Sequence, residues 1–170
     1  MRIGPDGKQD LLGHGAGTSN GISIDQQGNI LAADIQEQDG VIRKIRPDGT
    51  HEVILSEIDG RPLDPPNSVF VDSQGRLWIP VSTRTSPWFE ALARPRPDGY
   101  IILMDEKGPR IVADGILFTN EARLDPSEQY LYAAAIGLGN GDNQDGAARV
   151  GKKEGRFPHL GEHRCAIAAR

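Results

Sequence analysis

One pattern occurs three times in this chain. Ser19-Asn20-Gly-Ile-Ser-Ile-Asp25, Pro66-Asn67-Ser-Val-Phe-Val-Asp72 and Thr119-Asn120-Glu-Ala-Arg-Leu-Asp125 each set an Asn before an alternating apolar run that ends in Asp. The Asn positions are 47 apart (67 minus 20) and 53 apart (120 minus 67). A repeat of ~40–50 residues made of short strands is the signature of a propeller blade. A propeller places equivalent residues of successive blades around one axis. A repeated Asn is then a candidate ring of ligands.

Each copy continues alike. Gln-Gln-Gly-Asn follows Asp25 and leads into Ile30-Leu-Ala-Ala; Ser-Gln-Gly-Arg follows Asp72 and leads into Leu77-Trp-Ile-Pro-Val. Pro-Ser-Glu-Gln-Tyr follows Asp125 and leads into Leu131-Tyr-Ala-Ala-Ala. These read as two strands joined by an Asp/Gly-type turn. A second hairpin is expected over Gly40–Ile45 and His51–Leu55, and again over Gly99–Met104 and Arg110–Val112. One unit is thus four strands, which is one blade. Arg2-Ile-Gly-Pro5-Asp-Gly matches Lys44-Ile-Arg-Pro47-Asp-Gly, so the chain opens on the outer two strands of a blade. Two full blades follow, about 19–55 and 66–112, then the inner half of another, 119–136. The expected fold is all-β: a partial β-propeller of about three four-stranded antiparallel blades over residues 1–136. Residues 137–170 are expected to be an irregular tail, with Ala147-Ala-Arg-Val150 the best candidate for one more strand. Three blades do not close a ring. Part of a longer propeller is the simplest expectation, and self-association through open blade edges is the other.

The 170 residues include 21 Gly and 12 Pro, which suits many tight turns rather than long helices. Net charge is −5 and the basic residues are dispersed, which excludes a nucleic-acid partner. Cys165 is the one cysteine and cannot form an internal disulfide. No stretch of ~18 apolar residues is present, so no membrane partner is expected, and Met1-Arg-Ile-Gly-Pro-Asp-Gly does not read as a signal peptide. A cytoplasmic location is the default expectation.

The chain resembles the SMP-30/gluconolactonase/regucalcin-like family of six-bladed propellers. The stretches that carry this are Asn20-Gly-Ile-Ser-Ile-Asp, Asp59-Gly-Arg-Pro-Leu-Asp-Pro-Pro-Asn67, Asp72-Ser-Gln-Gly-Arg-Leu-Trp78 and Ala113-Asp-Gly-Ile-Leu-Phe-Thr-Asn120-Glu. The resemblance covers about 1–136. It implies a hydrolase of lactones or related esters with a divalent cation in the central channel, Ca²⁺ first, with Zn²⁺, Mn²⁺ or Mg²⁺ as alternatives. Asn67 and Asn120 match the family's middle-blade ligands. The family's early Glu and late Asp ligands have no counterpart in these residues. Asn67-Ser68 and Ile79-Pro-Val-Ser also depart from the family's usual Asn-Asp and Thr-Asp-Pro.

The residues support this chemistry in part by themselves. Hard cations take six to eight oxygen ligands and accept amide carbonyls. Pro65-Pro66 restricts the backbone before Asn67. A channel cation could polarise a lactone carbonyl, with a carboxylate as general base. Glu121 is the candidate base, although simple strand alternation points it away from the direction of Asn120. Asn67, Thr83 and Arg84 are candidate substrate contacts, Arg84 through its fork of donors. Asn20, followed by Gly, reads as a turn residue, and Asp25, Asp72 and Asp125 as turn caps. Trp78 and Trp88 read as packing residues. His159-x-x-x-His163-x-Cys165 lacks a fourth zinc ligand, and Gly141-Asp-Asn-Gln-Asp-Gly146 fails the EF-hand pattern. Gly13-His14-Gly-Ala-Gly17 has neither P-loop nor dinucleotide spacing, and no Gly-x-Ser-x-Gly elbow exists. The alternative function is a non-catalytic propeller that binds a protein or sugar partner.

Overall fold

The computed structural model describes residues 1–12, 18–35, 39–94 and 96–135, and the backbone of 146–151. Every strand pairing in them is antiparallel. The chain opens on a hairpin of β1 (Arg2–Ile3) and β2 (Gln9–Asp10). The first blade is β3 (Thr18–Ile24), β4 (Ile30–Ile35), β5 (Gly40–Ile45) and β6 (His51–Leu55), paired in chain order. A small hairpin, β7 (Glu57–Ile58) and β8 (Arg61–Pro62), follows. The second blade is β9 (Phe70–Val71), β10 (Leu77–Val81), β11 (Gly99–Asp105) and β12 (Gly108–Ile116), with a short α1 (Glu90–Ala93) between β10 and β11. The third has β13 (Thr119–Leu124), β14 (Tyr130–Ala135) and β15 (Gly146–Gly151). Ala147–Val150 therefore lies in a strand.

Sequence pattern explains the stacking. In the second blade Trp78, Ile79, Pro80 and Val81 of β10 and Tyr100, Ile101, Ile102 and Leu103 of β11 are all buried. A near-continuous apolar run belongs to strands covered on both faces. Ile79, Val81, Tyr100 and Ile102 pack with Leu31, Ala33, Ile42 and Leu55 of the first blade. The opposite face, with Phe70, Trp78, Ile101 and Leu103, packs on Ala122, Leu131 and Ala133 of the third. The third blade alternates instead: β14 reads exposed–buried–exposed–buried from Tyr130 to Ala133. Alternation marks a strand covered on one face only.

The three Asp residues make the turns expected of them. Asp25 accepts from the backbone N–H groups of Gln27 and Asn29, Asp72 from those of Gln74 and Arg76, and Asp125 from those of Ser127 and Tyr130. Asp72 also holds the Arg76 guanidinium at 2.5 Å and the Trp78 indole N–H at 3.0 Å, tying its turn to the core. Burial pushes the Asp72 carboxyl up, but the Trp78 and Arg76 donors outweigh it and hold its pKa below the ordinary value.

Candidate functional site

Each blade begins with the same irregularity. Ser19 pairs with Asp34 and Ile22 with Ala32, so β3 spends three steps where β4 spends two. Thr119 pairs with Ala135 and Ala122 with Ala133, the same offset. In the second blade Pro66 bridges Val81 and Phe70 pairs with Trp78, four steps against three. Each copy thus carries one extra residue, and the Asn sits in the extra segment: Asn20-Gly21, Asn67-Ser68, Asn120-Glu121. A bulge bends the strand and re-aims side chains. Two sequence expectations change. Asn20 is a bulge residue within a strand, not a turn residue. Simple alternation also no longer sets the relative directions of Asn120 and Glu121.

The bulges touch across the seams between blades. Gly21 N–H donates to the Asn67 carbonyl at 3.0 Å. A Cβ on Gly21 would lie 2.5 Å from Ser68 Cβ, so a glycine is required there by close approach. Asn67 N–H donates to the Pro80 carbonyl, and its side-chain Nδ2 donates to Ser82 Oγ at 3.1 Å. The Ser82 carbonyl in turn accepts from Thr119 N–H at 3.2 Å. Buried Ser82 therefore joins Asn67 to the residue before Asn120. The Asn67 side-chain oxygen accepts no hydrogen bond among the described residues. Ser68 Oγ and Thr119 Oγ1, adjacent to the two Asn, are buried with no hydrogen-bond partner among the described residues. Asn67 and Asn120 are both half-buried.

The segment between β10 and β11 leaves the blade from Ser82 and is braced internally. Thr83 is fully buried and donates to Asp98 Oδ1 at 2.7 Å; Thr85 Oγ1 reaches the other oxygen of that carboxylate. Arg84 binds Asp114 bidentately at 2.7 and 2.9 Å, donates to the Asp98 carbonyl at 2.6 Å and lies 4.2 Å from the Tyr100 ring centre. Tyr100 donates to Asp64 at 2.8 Å, and burial together with the Asp64 charge drives its hydroxyl pKa far up. Thr83 and Arg84, the candidate substrate contacts, both have partners inside the protein, and Arg84 stays partly exposed. The sequence signal for that network was weak, since Asp98 and Asp114 each precede a Gly and read as turn residues.

Glu121 is half-exposed and ion-paired with Arg123, whose guanidinium lies 5.5 Å from the Phe70 ring centre. Trp78 stacks on Phe70 within the core, as a packing residue should. Trp88 is different. It is partly exposed and lines a cleft with Thr18, Ser19, Asn20 and Ile35 of the first blade. Among the described residues no group of three His, Cys, Asp or Glu is placed to hold a metal ion, and no helix is long and apolar enough to cross a membrane. His14, residues 141–145 and the His159, His163 and Cys165 set lie outside the described residues.

Comparison with known proteins finds no family model and no curated protein that matches. Solved structures do match. A gluconolactonase from Xanthomonas campestris superposes with a TM-score of 0.68 at 18% identity, over 88% of this chain and 49% of that one. The chain has the fold of a partial β-propeller. A structural-genomics gluconolactonase candidate gives a TM-score of 0.67 at 20% identity, over 93% and 53%. The PQQ-bound aldose sugar dehydrogenase of Streptomyces coelicolor gives 0.59 at 16%, over 84% and 47%. The chain thus spans about half the length of the structures it matches. The resemblance to gluconolactonases read from the sequence holds at the level of fold. The dehydrogenase shows that one such fold carries more than one chemistry.

Proposed function

We propose that these residues form part of a lactonase-type hydrolase, with Asn67 and Asn120 contributing oxygen ligands to a divalent cation, Ca²⁺ first. The observation that carries this reading is the Ser82 contact, which leaves the Asn67 side-chain oxygen unspent at the start of the innermost strand. The donor set fits as a fraction of a shell. Two neutral amide oxygens suit a hard cation needing six to eight oxygens, and carboxylates must come from elsewhere. The fold shared with gluconolactonases supports the reaction class.

Such a cation, when bound, supplies Lewis-acid polarisation of an ester carbonyl. The chain's own part is to orient. Ser82 holds the Asn67 amide, and the bulge at each Asn takes it out of the regular strand alternation. Glu121 is the candidate proton acceptor for water, and its ion pair with Arg123 has to open before it can serve. Calorimetric titration of the chain with CaCl₂ tests the site, and acid release from a lactone at constant pH tests the reaction. N67A is expected to lower cation affinity, and E121Q to lower hydrolysis without touching that affinity. Unchanged cation binding in both N67A and N120A sinks the assignment.

A binding module is the second reading. What supports it is the fold itself, which is shared by proteins of different chemistry and does not fix a reaction. Ligand binding with no acid release under any divalent cation would select it.

A further inference from the structure

The connection between β10 and β11, residues 82–98, carries Trp88 and α1. Its two ends are fastened together. Thr83 and Thr85 occupy both oxygens of the Asp98 carboxylate. Arg84 binds the Asp98 carbonyl and Asp114 of β12, the outermost strand of the blade. A cavity of about 480 Å³ opens within this connection, and three guanidinium groups line it, those of Arg84, Arg94 and Arg96. No lining residue comes from the Asn-bearing strand starts, so the cavity is separate from the candidate cation site.

The charges at this cavity do not balance within the protein. The chain has more acidic than basic residues, 24 to 19, and the lining reverses that sign with three arginines to Glu90 and Asp98. Asp114 offsets Arg84. The Asp98 carboxylate is taken up by its two hydroxyl donors. Arg94 and Arg96 are exposed and make no ion pair among the described residues, with Glu90 or any other acid. Like charges around one cavity repel until an anion joins them. A guanidinium is a planar fork of donors that takes phosphate oxygens two at a time. Two unspent forks two residues apart, beside the Ser86 hydroxyl, suit a single group rich in acceptor oxygens. A carboxylate offers two such oxygens; a phosphate group offers three and carries more charge. We infer that this cavity is a binding site for a phosphate group carried by a small molecule, with Arg94 and Arg96 on its oxygens and Arg84 as a fixed wall. Glu90 then opposes the ligand's charge and limits its affinity. The site goes beyond the hydrolase reading and does not rest on it.

The probe is inorganic phosphate at constant ionic strength, without added divalent cation. Backbone amides followed in a nitrogen-15 spectrum should show saturable shifts confined to residues 84–98, at millimolar concentration. R94A/R96A should weaken binding about tenfold or more, either single variant several-fold, and E90Q should tighten it a few-fold. An unmoved Trp78 indole signal certifies that each variant is folded. K107A removes an exposed cation at the other end of β11 and should change nothing. No saturable shift up to tens of millimolar phosphate overturns the proposal. So does undiminished binding by R94A/R96A, an equal loss in K107A, or an equal shift with acetate. N67A is expected to bind phosphate as the parent chain does. If phosphate binds while cation binding proves absent, only the metal reading falls; if the cation binds and phosphate does not, only this site falls.

Discussion

Asn67 Nδ2 donates to Ser82 Oγ at 3.1 Å, across fifteen residues of chain. The contact sets which end of the amide faces Ser82. Two further bonds place it at a junction. Gly21 of the first blade binds the Asn67 carbonyl, and Thr119 of the third binds the Ser82 carbonyl. One pair of polar side chains thus ties three successive inner strands together.

Removing the Ser82 hydroxyl should release the amide to turn while leaving the backbone bonds in place. S82A is expected to cost cation affinity by about tenfold, the scale of one hydrogen bond to a ligand-orienting group. Thermal stability should fall by only about 1 kcal/mol. Calorimetry beside a thermal melt separates the two effects. A variant that melts early but binds the cation normally would make Ser82 structural only.

Gly21 has no room for a side chain. A Cβ there would come within 2.6 Å of Ser68 Cα as well as 2.5 Å of its Cβ, and the first of these is backbone. The blades must part for G21A to fold. Overpacking of this kind costs about 1–3 kcal/mol. We expect an earlier urea midpoint for G21A. G60A serves as the control: a Cβ there meets nothing within 4 Å, so only its positive φ strains it.

Much of this architecture was legible in the Asn–Asp repeat. The hairpins over Gly40–Ile45 and His51–Leu55 fall where period-2 alternation and the Pro47-Asp-Gly turn put them. The β7–β8 hairpin was also available, since Asp59-Gly60 is a two-residue turn signal and both residues take positive φ. The bulges were not legible. An extra residue leaves the apolar alternation of Ile22–Ile24 or Ala122–Leu124 intact and only offsets what precedes it. Ser82 was hidden for another reason: its partner lies fifteen residues away, ahead of β9, and only the fold brings the two together. Arg84 illustrates the converse. A lone loop Arg looks available in sequence, and only the fold reveals Asp114 thirty residues away.

Acid should unfold the chain through its turn carboxylates. The folded-state pKa of Asp72 is depressed by the Trp78 and Arg76 donors against the opposing effect of burial. Asp25, where burial also opposes, is lowered by its Asn29 and Gln27 bonds, and Asp125 chiefly by Ser127. A depressed carboxyl pKa contributes stability that is fully present above the unfolded value, 3.8 for Asp72, and lost as pH falls through the folded one. Urea midpoints are therefore expected to hold from pH 7 to about 5 and drop below about 4. D72N should be less stable at pH 7 and show a shallower acid decline. An equally steep decline in D72N would assign the acid sensitivity elsewhere.

The Arg84–Asp114 pair should matter to the Trp88 connection more than to the core. Its side chains are 27% and 37% exposed, so screening limits its contribution to about 1–2 kcal/mol despite the bidentate geometry. R84K keeps the charge and loses the fork. We expect R84K to shift the Trp88 indole resonance and leave that of Trp78 in place. Coincident movement of both signals would show that the pair braces the whole blade instead.

The two end blades carry exposed apolar residues of different kinds. The first presents Ile22 at 58%, Ile24 at 64% and Val53 at 45% exposure; the third presents Tyr130 and Tyr132. Register puts Ile22 and Val53 on one face, through Ala32 and Arg43 between them. That face lies opposite the one where Leu31 and Ala33 meet the second blade. A blade with a bare apolar face is the terminal-repeat problem of stacked repeat architectures. Because the ends differ, association would run head to tail rather than like to like. Sedimentation velocity on the chain should show concentration-dependent association, and I22K/I24E should suppress it. The double variant removes exposed apolar area and touches no bulge bond, so its fold should survive. A chain that stays monomeric to high concentration, and binds no hydrophobic dye, would mean that the aliphatic face is covered and the ends are not sticky.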